Sequence, residues 1–221
     1  MDMGVSSPAY VKQSKVKGRP LYHGIKRLFD FLASLVALIL LSPLFLVLAI
    51  KIHGEDGGPV LYSQIRIGKD EKPFRIYKFR SMVVNAEKLK KDLLEQNEVE
   101  GAMFKMHDDP RITKIGKFIR AHSLDELPQL WNVLIGNMSL VGPRPPLPNE
   151  VEQYTDYDKQ RLLVKPGCSG LWQATSRNAA DFAEMVQLDI EYINRSGVFF
   201  DLWIIFKTIG VIFHPNGMYE E

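Results

Sequence analysis

The sequence predicts an α+β protein held at one face of a membrane by a single bent, re-entrant helix. Three observations lead there. Phe31 to Ile50 runs for twenty residues without a charge. Two β-like segments, 60–68 and 73–82, flank a short polar turn and read as a small antiparallel hairpin. Later stretches repeat apolar residues at helical spacing with basic residues between them, the pattern of amphipathic helices lying in a membrane interface.

At about 1.5 Å per residue the apolar run reaches roughly 30 Å as one helix, the thickness of a hydrocarbon core. Ser42-Pro43 falls just past its middle, where proline removes a helical hydrogen bond and clashes with the preceding turn. Lys26 and Arg27 precede the run, and Lys51 and His53 follow it. Short flanks rich in Lys and Arg stay in the cytoplasm. A single crossing helix and a helix that enters one leaflet and returns both fit the length, and basic residues at both ends favour the return. The chain then divides into a flexible basic tail over 1–24, a re-entrant helix over 25–52 broken at Ser42 and Pro43, and a cytoplasmic domain with interfacial helices over 53–221.

Composition supports that division. Hydrophobic residues make up 46% and charged ones 24%, so the part outside the apolar run has the balance of a soluble domain. A net charge of +2 is too small to imply nucleic acid. The basic residues are unevenly placed, however. Lys12, Lys15, Lys17, Arg19, Lys26 and Arg27 stand before the run against Asp2 and the Asp30 at its edge, which suits an anionic cytoplasmic leaflet as well as a solvated tail. Cys168 is the only cysteine, which excludes an internal disulfide and a Cys-rich zinc site. The leader is too long and the apolar run too extended for a cleaved signal peptide.

At the run's N-terminal edge, Asp30 needs a partner, and Lys26 or Arg27 one turn earlier can serve. GEDGGP (54–59) is a turn. In the second strand Phe74, Ile76 and Lys78 share one face, with Arg75, Tyr77 and Phe79 on the other. Residues 83–97, rich in Lys and Glu, read as a helix with a solvated face. From Asp109, DPRITKIGKFIRAH sets Ile112, Ile115, Phe118 and Ile119 against Arg111, Lys114, Lys117 and Arg120. That stripe suits an interfacial helix or an ordinary surface helix. A short helix follows in SLDELPQLWNVLIG, then the connector VGPRPPLP (141–148), which proline keeps out of regular helix and central strand. Residues 149–164 look helical, KPGCSG (165–170) is a turn leading into LWQATSRN, and 179–193 returns to helical spacing. Residues 198–213 are strongly apolar but carry Asp201 and Lys207, so they are expected in the interface or packed on the core.

The chemistry is read from Ser123-Leu124-Asp125-Glu126. Ser followed three residues later by Glu is a capping box, which by itself only starts a helix. Adjacent carboxylates on a helix point about 100° apart, too divergent to flank a glycosidic bond as opposed acid and base. They can divide two tasks, one oxygen attacking while its neighbour holds a divalent cation. Attack on an anionic diphosphate needs compensating positive charge. Arg120 lies five residues before Asp125 and Arg144 sits in the rigid connector. Lys78, Arg80 and Arg177 are further candidates, though each basic residue taken singly also reads as a surface charge. Magnesium suits such oxygen donors and bridges phosphates.

At these residues the chain closely resembles the small monotopic polyprenyl-phosphate phosphoglycosyl transferases among the bacterial sugar transferases. The resemblance rests on KRLFDFLASLVALILLSPLFLVLAI, GPVLYSQIRIG, FRIYKFRSM, the long block from DPRITK to VGPRP, KPGCSGLWQ, and LDIEYI with FDLWIIFKTI. These cover nearly everything from about residue 24 to 213. It implies a re-entrant helix broken at Ser42 and Pro43 and a catalytic domain on the cytoplasmic face of the bacterial plasma membrane. It also implies transfer of a phosphosugar from a UDP-sugar to undecaprenyl phosphate, with release of UMP and a requirement for magnesium. Carried over by position, Asp125 is the nucleophile, Glu126 the magnesium ligand, and Arg120 and Arg144 organise the phosphates. Lys78, Arg80, Gln173, Arg177, Asp189 and Asp201 fall in matching blocks as substrate-binding candidates. The LWQ version of the last turn leans toward glucose or galactose, and exopolysaccharide or capsule synthesis is the implied setting. Beyond membrane lipids, a second copy of the chain or downstream glycosyltransferases are the partners it leaves open. Larger relatives carry a four-helix membrane portion before this unit, and no regulatory role of that portion is expected of this sequence. The competing reading is a membrane-anchored scaffold without catalysis, which would release no UMP.

Overall fold

Pro20 opens the longest element, its fixed φ suited to a first helical turn and its missing N–H falling where none is needed. The computed structural model describes residues 10–86, 88–89, 109–175 and 181–213. A short helix α1 (Gln13–Lys17) precedes α2 (Pro20–Leu40), and α3 (Ser42–Asp56) follows after a bend of 59°. The bend has a local cause. Pro43 has no N–H to donate to the Ile39 carbonyl, which accepts the Ser42 hydroxyl at 2.7 Å instead. Gly57, at φ 71°, closes α3 with its N–H on His53 O at 2.8 Å. Among the described residues no single helix is long and apolar enough to cross a membrane, whereas the bent pair passes that test together. Its outer surface is largely bare hydrocarbon at Leu21, Leu28, Ile39, Leu40, Leu46 and Ile50.

Both ends of this pair are fastened to the same body. Before it, Val11 N donates to Gln160 Oε1 at 2.7 Å and Arg19 Nη1 to Ser196 O at 2.6 Å. After it, Glu55 accepts the N–H groups of Lys114 and Ile115 at 2.7 and 3.1 Å. Residues 10–24, expected as a flexible tail, are therefore partly helical and docked. The element runs from 20 to 56 rather than 25 to 52, because Pro20 and Gly57 set its limits.

The hairpin forms as expected. Strands β1 (Leu61–Ile67) and β2 (Pro73–Phe79) pair antiparallel, with Leu61 opposite Phe79 and Ile67 opposite Pro73. Alternation along β2 places Ile76 against Val133 and Met138, and Phe79 against Leu48, Ile52 and Ile119. The strand thus holds α3 and α4 (Lys114–Ala121) on one side and α5 (Gln129–Ile135) on the other. Asn132 fixes α5 to β2 by accepting from Tyr77 N at 3.2 Å and donating to Arg75 O at 2.7 Å. The helix expected over 83–97 falls largely outside the described residues.

Two expectations fail in the second half. The KPGCSG turn contains β4 (Gly167–Ser169), which pairs parallel with β3 (Ser139–Val141). Only glycine permits this approach: a β-carbon on Gly167 would lie 2.1 Å from Gly142 N. The helix expected over 149–164 breaks into α6 (Pro148–Val151) and a 3₁₀ turn (Asp158–Leu163). Between them Thr155 donates its N–H and hydroxyl to Asp158 Oδ2 at 2.9 and 2.7 Å, a local alternative to the helical ladder.

The main core lies under α7 (Leu171–Thr175), α8 (Phe182–Arg195) and α9 (Val198–Phe213), where Val186, Ile190, Ile193 and Ile204 pack against Val141. Asp201 of α9 accepts from Tyr22 at 2.7 Å, Lys26 at 3.0 Å and Tyr192 at 2.9 Å. Lys26 is therefore not the partner of Asp30, whose carboxylate instead accepts Leu140 N at 3.0 Å. Arg27 covers the last carbonyls of α5, those of Val133 and Leu134, at 2.7 and 2.8 Å.

Candidate active site

The carboxylate pair sits on a 3₁₀ turn, Leu124–Glu126, between α4 and α5. Ser123 before it has φ 54°, a left-handed conformation that a side-chain-bearing residue adopts at a cost of about 1 kcal/mol. Its hydroxyl caps nothing, so the expected capping box does not form. A 3₁₀ turn spreads successive side chains by about 120°, which presents Asp125 and Glu126 in separate directions.

Alternation along β2 then delivers Lys78 on the face that carries Ile76. Lys78 Nζ lies 2.5 Å from Glu126 Oε1. Arg66 and Arg144 add their fields at Glu126, and Arg120 adds its own at Asp125. The two acids respond differently. Burial pushes Asp125 up to about 6, with the Glu126 charge acting the same way and Lys78 and Arg120 opposing. Burial also works against the Glu126 anion, but Lys78, through charge and hydrogen bond, holds it below the usual carboxylate range. One acid is firmly ionised and its neighbour titrates near neutrality, the separation that two roles require.

The structure gathers Lys78, Arg120, Asp125, Glu126 and Arg144 and assigns other tasks to several remaining candidates. Arg80 clasps Asp56 through both terminal nitrogens at 2.6 Å and donates Nε to Pro59 O at 2.5 Å, bracing the end of α3. Asp189 is buried against Arg161. Asp201 ties α2 to α8 and α9, as described. Gln173 lies in α7 beside Gly170, where an added β-carbon would meet its Oε1 at 2.6 Å. Arg177 lies outside the described residues. Ser42 and Pro43 form the bend and take no part in the charge cluster.

Arg66 is the residue that sequence reasoning passed over. It is buried in β1, donates to Pro145 O at 3.1 Å and Gln64 Oε1 at 2.9 Å, and has no partner for Nε. Burial and the Arg144 charge lower it to about 10. No signal in the sequence marked it: Leu61 and Ile65 are exposed while Arg66 is buried, the reverse of what strand patterning predicts.

Among the described residues no three His, Cys, Asp or Glu side chains converge on a metal position. The pair at 125–126 nevertheless fits magnesium, which is commonly held by one or two carboxylates with substrate phosphates and water completing its shell. Immediately after the pair, Pro128 and Trp131 border an apolar cleft of about 630 Å³. Leu38 and Phe45 from the bent helices, and Leu61 and Tyr77 from the hairpin, complete its walls.

A charge cluster on a strained turn thus lies near an apolar cleft that the bent helix pair helps to wall. The sequence model for bacterial sugar transferases matches residues 21–215, from the first turn of α2 past the end of α9. The chain belongs to the bacterial sugar transferase family. Family membership covers every element described after α1. The galactosyl transferase CpsE of Streptococcus agalactiae is 50% identical over 193 residues, spanning 87% of this chain and 43% of that protein. An undecaprenyl-phosphate galactose phosphotransferase of Salmonella typhimurium is 45% identical over 199 residues, 88% of this chain and 42% of that protein. The exopolysaccharide production protein ExoY of Rhizobium meliloti is 39% identical over 218 residues, 97% of this chain and 96% of that protein. The chain spans less than half the length of the first two relatives.

Proposed function

We propose that this transferase-family chain moves a phosphosugar from a UDP-sugar to undecaprenyl phosphate at the cytoplasmic face of the membrane, through a covalent intermediate on Asp125. The observation that carries this reading is Asp125 beside the Lys78-bound Glu126, in the fields of Arg66, Arg120 and Arg144, with an apolar cleft walled by Pro128 and Tyr77, which lie within two residues of Glu126 and Lys78 along the chain. An Asp125 oxygen attacks the β-phosphorus of the UDP-sugar. The bond from that phosphorus to the bridging oxygen breaks, and UMP leaves with the electron pair. The arginines and Lys78 hold the phosphate charges as they develop. A phosphate oxygen of the lipid then attacks the same phosphorus, the acyl-phosphate bond breaks, and the Asp125 carboxylate is restored. Glu126 is the residue that would hold magnesium, which when bound neutralises diphosphate oxygens. The cleft takes the isoprenoid tail, so the acceptor approaches from the hydrocarbon side.

The test is intact-mass spectrometry of the protein with a panel of UDP-sugars and no lipid. A mass gain equal to one phosphosugar is expected, discharged on adding undecaprenyl phosphate. Turnover with lipid but no such adduct would sink the covalent step. Chelation of magnesium is expected to lower UMP release by on the order of 10²-fold or more, the several kcal/mol a bound metal contributes. Glu126→Gln is expected to need a higher magnesium concentration for half-maximal rate.

The proposed membrane form is re-entrant. Its support is that both ends of α2–α3 are hydrogen-bonded to one body, which a crossing helix separates. Lys12→Cys and Gly54→Cys, placed singly in a Cys168→Ser background, are expected to be shielded from an impermeant maleimide in intact cells. Labelling of only one of them would establish a crossing helix instead.

A further inference from the structure

At the foot of α2 a second cavity, of about 220 Å³, opens between α1, α2, the hairpin turn and the β3–β4 layer. It contains neither member of the carboxylate pair and shares no lining residue with the apolar cleft. Lys15, Arg27, Lys69 and Lys165 all face it. Lys26 also lines it but is already paired with Asp201. The one further acid in its wall, Asp30, has an oxygen engaged by Leu140 N at 3.0 Å. Among the described residues no ion pair reaches Lys15, Lys69 or Lys165.

Two further observations point to a missing ligand rather than a loose surface. Ser139 is 1% exposed, lines the cavity, and its hydroxyl has no hydrogen-bond partner. His23 Nε2, buried in the same wall, has none either. Buried polar atoms of this kind are few in folded proteins and call for a partner such as a bound ion or an ordered water. The Lys165 ammonium is disfavoured, first by burial and then by the Arg27 charge, a repulsion that a bound anion would reverse.

We propose that this cavity is a second anion site, which binds a phosphate group through Lys69, Lys165 and the Ser139 hydroxyl. Lysines serve as point charges here, since the terminal nitrogens of Arg27 are engaged with the Val133 and Leu134 carbonyls. Two sources carry such a group at this place, the head of an anionic phospholipid and free phosphate. The lipid source rests on the membrane-inserted reading of α2, whose bare apolar surface begins at Leu21 beside the cavity and is continued by Phe199, 88% exposed, on α9. The site itself does not depend on that reading or on the transfer reaction.

The full chain in nanodiscs of phosphatidylcholine carrying a minority of phosphatidylglycerol supplies the test, with native mass spectrometry reading the lipid retained. One phosphatidylglycerol is expected to be kept in preference to phosphatidylcholine. The double variant Lys69→Gln/Lys165→Gln is expected to weaken retention roughly 25-fold, about 1 kcal/mol per lysine at a membrane surface. Ser139→Ala is the smaller second perturbation and is expected to weaken it severalfold. Displacement of the lipid by millimolar inorganic phosphate assigns the site to free phosphate, and persistence assigns it to the headgroup. Equal retention in wild type and double variant, or retention of neither probe, overturns the proposal. UMP release and Tm are expected to be unchanged in the double variant, so failure here and failure of the transfer mechanism separate cleanly.

Discussion

Asp125→Asn is expected to lower transfer by on the order of 10⁴-fold or more, as removal of a nucleophile does, and to stabilise the folded protein at alkaline pH. The first effect follows from the missing carboxylate oxygen, the second from a displaced equilibrium. The folded protein holds the Asp125 proton up to about 6, against an ordinary value of 3.8. Between those values the folded state binds more protons than the unfolded one, so stability falls as pH rises through the interval. Above about 6 the whole penalty for the half-buried carboxylate is present. Asparagine does not titrate and escapes it. The gain in Tm of the variant over wild type should therefore be near zero at pH 4, grow to about pH 6.5, and stay level beyond it. The wild-type rate should rise through the same region, since only the carboxylate attacks. The proximity of Glu126 makes the apparent value one of the pair. A variant that still forms the phosphosugar adduct would remove Asp125 from the nucleophile's place, and one that gains no Tm at pH 8 would show that its carboxyl titrates at the ordinary value.

Arg161→Met should destabilise the protein by about 3–5 kcal/mol, because it strands a buried carboxylate. Arg161 and Asp189 each retain only 1% of side-chain exposure, and Arg161 also donates to Tyr154 at 2.9 Å and to the Arg144 carbonyl at 3.3 Å. Adding Asp189→Leu removes the stranded charge and should recover most of the lost stability in chemical denaturation. Activity should recover less, since the brace on the Arg144 backbone stays absent. A single variant as stable as wild type would show that solvent reaches the pair. Full recovery of activity in the double variant would end the case for Arg161 as a positioning residue.

The contrast between Asp189 and Asp125 explains what the sequence could and could not reveal. Both are acids inside apolar helical patterns. Asp125 drew notice because a second carboxylate follows it and basic residues recur at 120 and 144, while its role came from the family resemblance. Asp189 read as a substrate ligand because its real partner, Arg161, lies 28 residues earlier in a stretch that looked helical and is not. The network around Asp201 was hidden for the same reason, its donors Tyr22 and Lys26 lying at the far end of the chain. Local periodicity captured the hairpin, the broken apolar element and the last two helices. It missed the parallel β3–β4 contact, which depends on two glycines 25 residues apart meeting backbone to backbone. The capping box failed on a single dihedral angle at Ser123 that no residue pattern announces.

The bend at Ser42 and Pro43 has a mechanical consequence. Inserted as proposed, two helices deflected by 59° at the break, with both roots anchored in one body, would form a shallow wedge in a single monolayer. A wedge of that kind crowds the acyl chains on one side and leaves the other side untouched, so its insertion is easiest where packing defects already exist. Strongly curved or freshly expanded regions of a membrane should therefore gather the protein, ahead of any recognition of substrate.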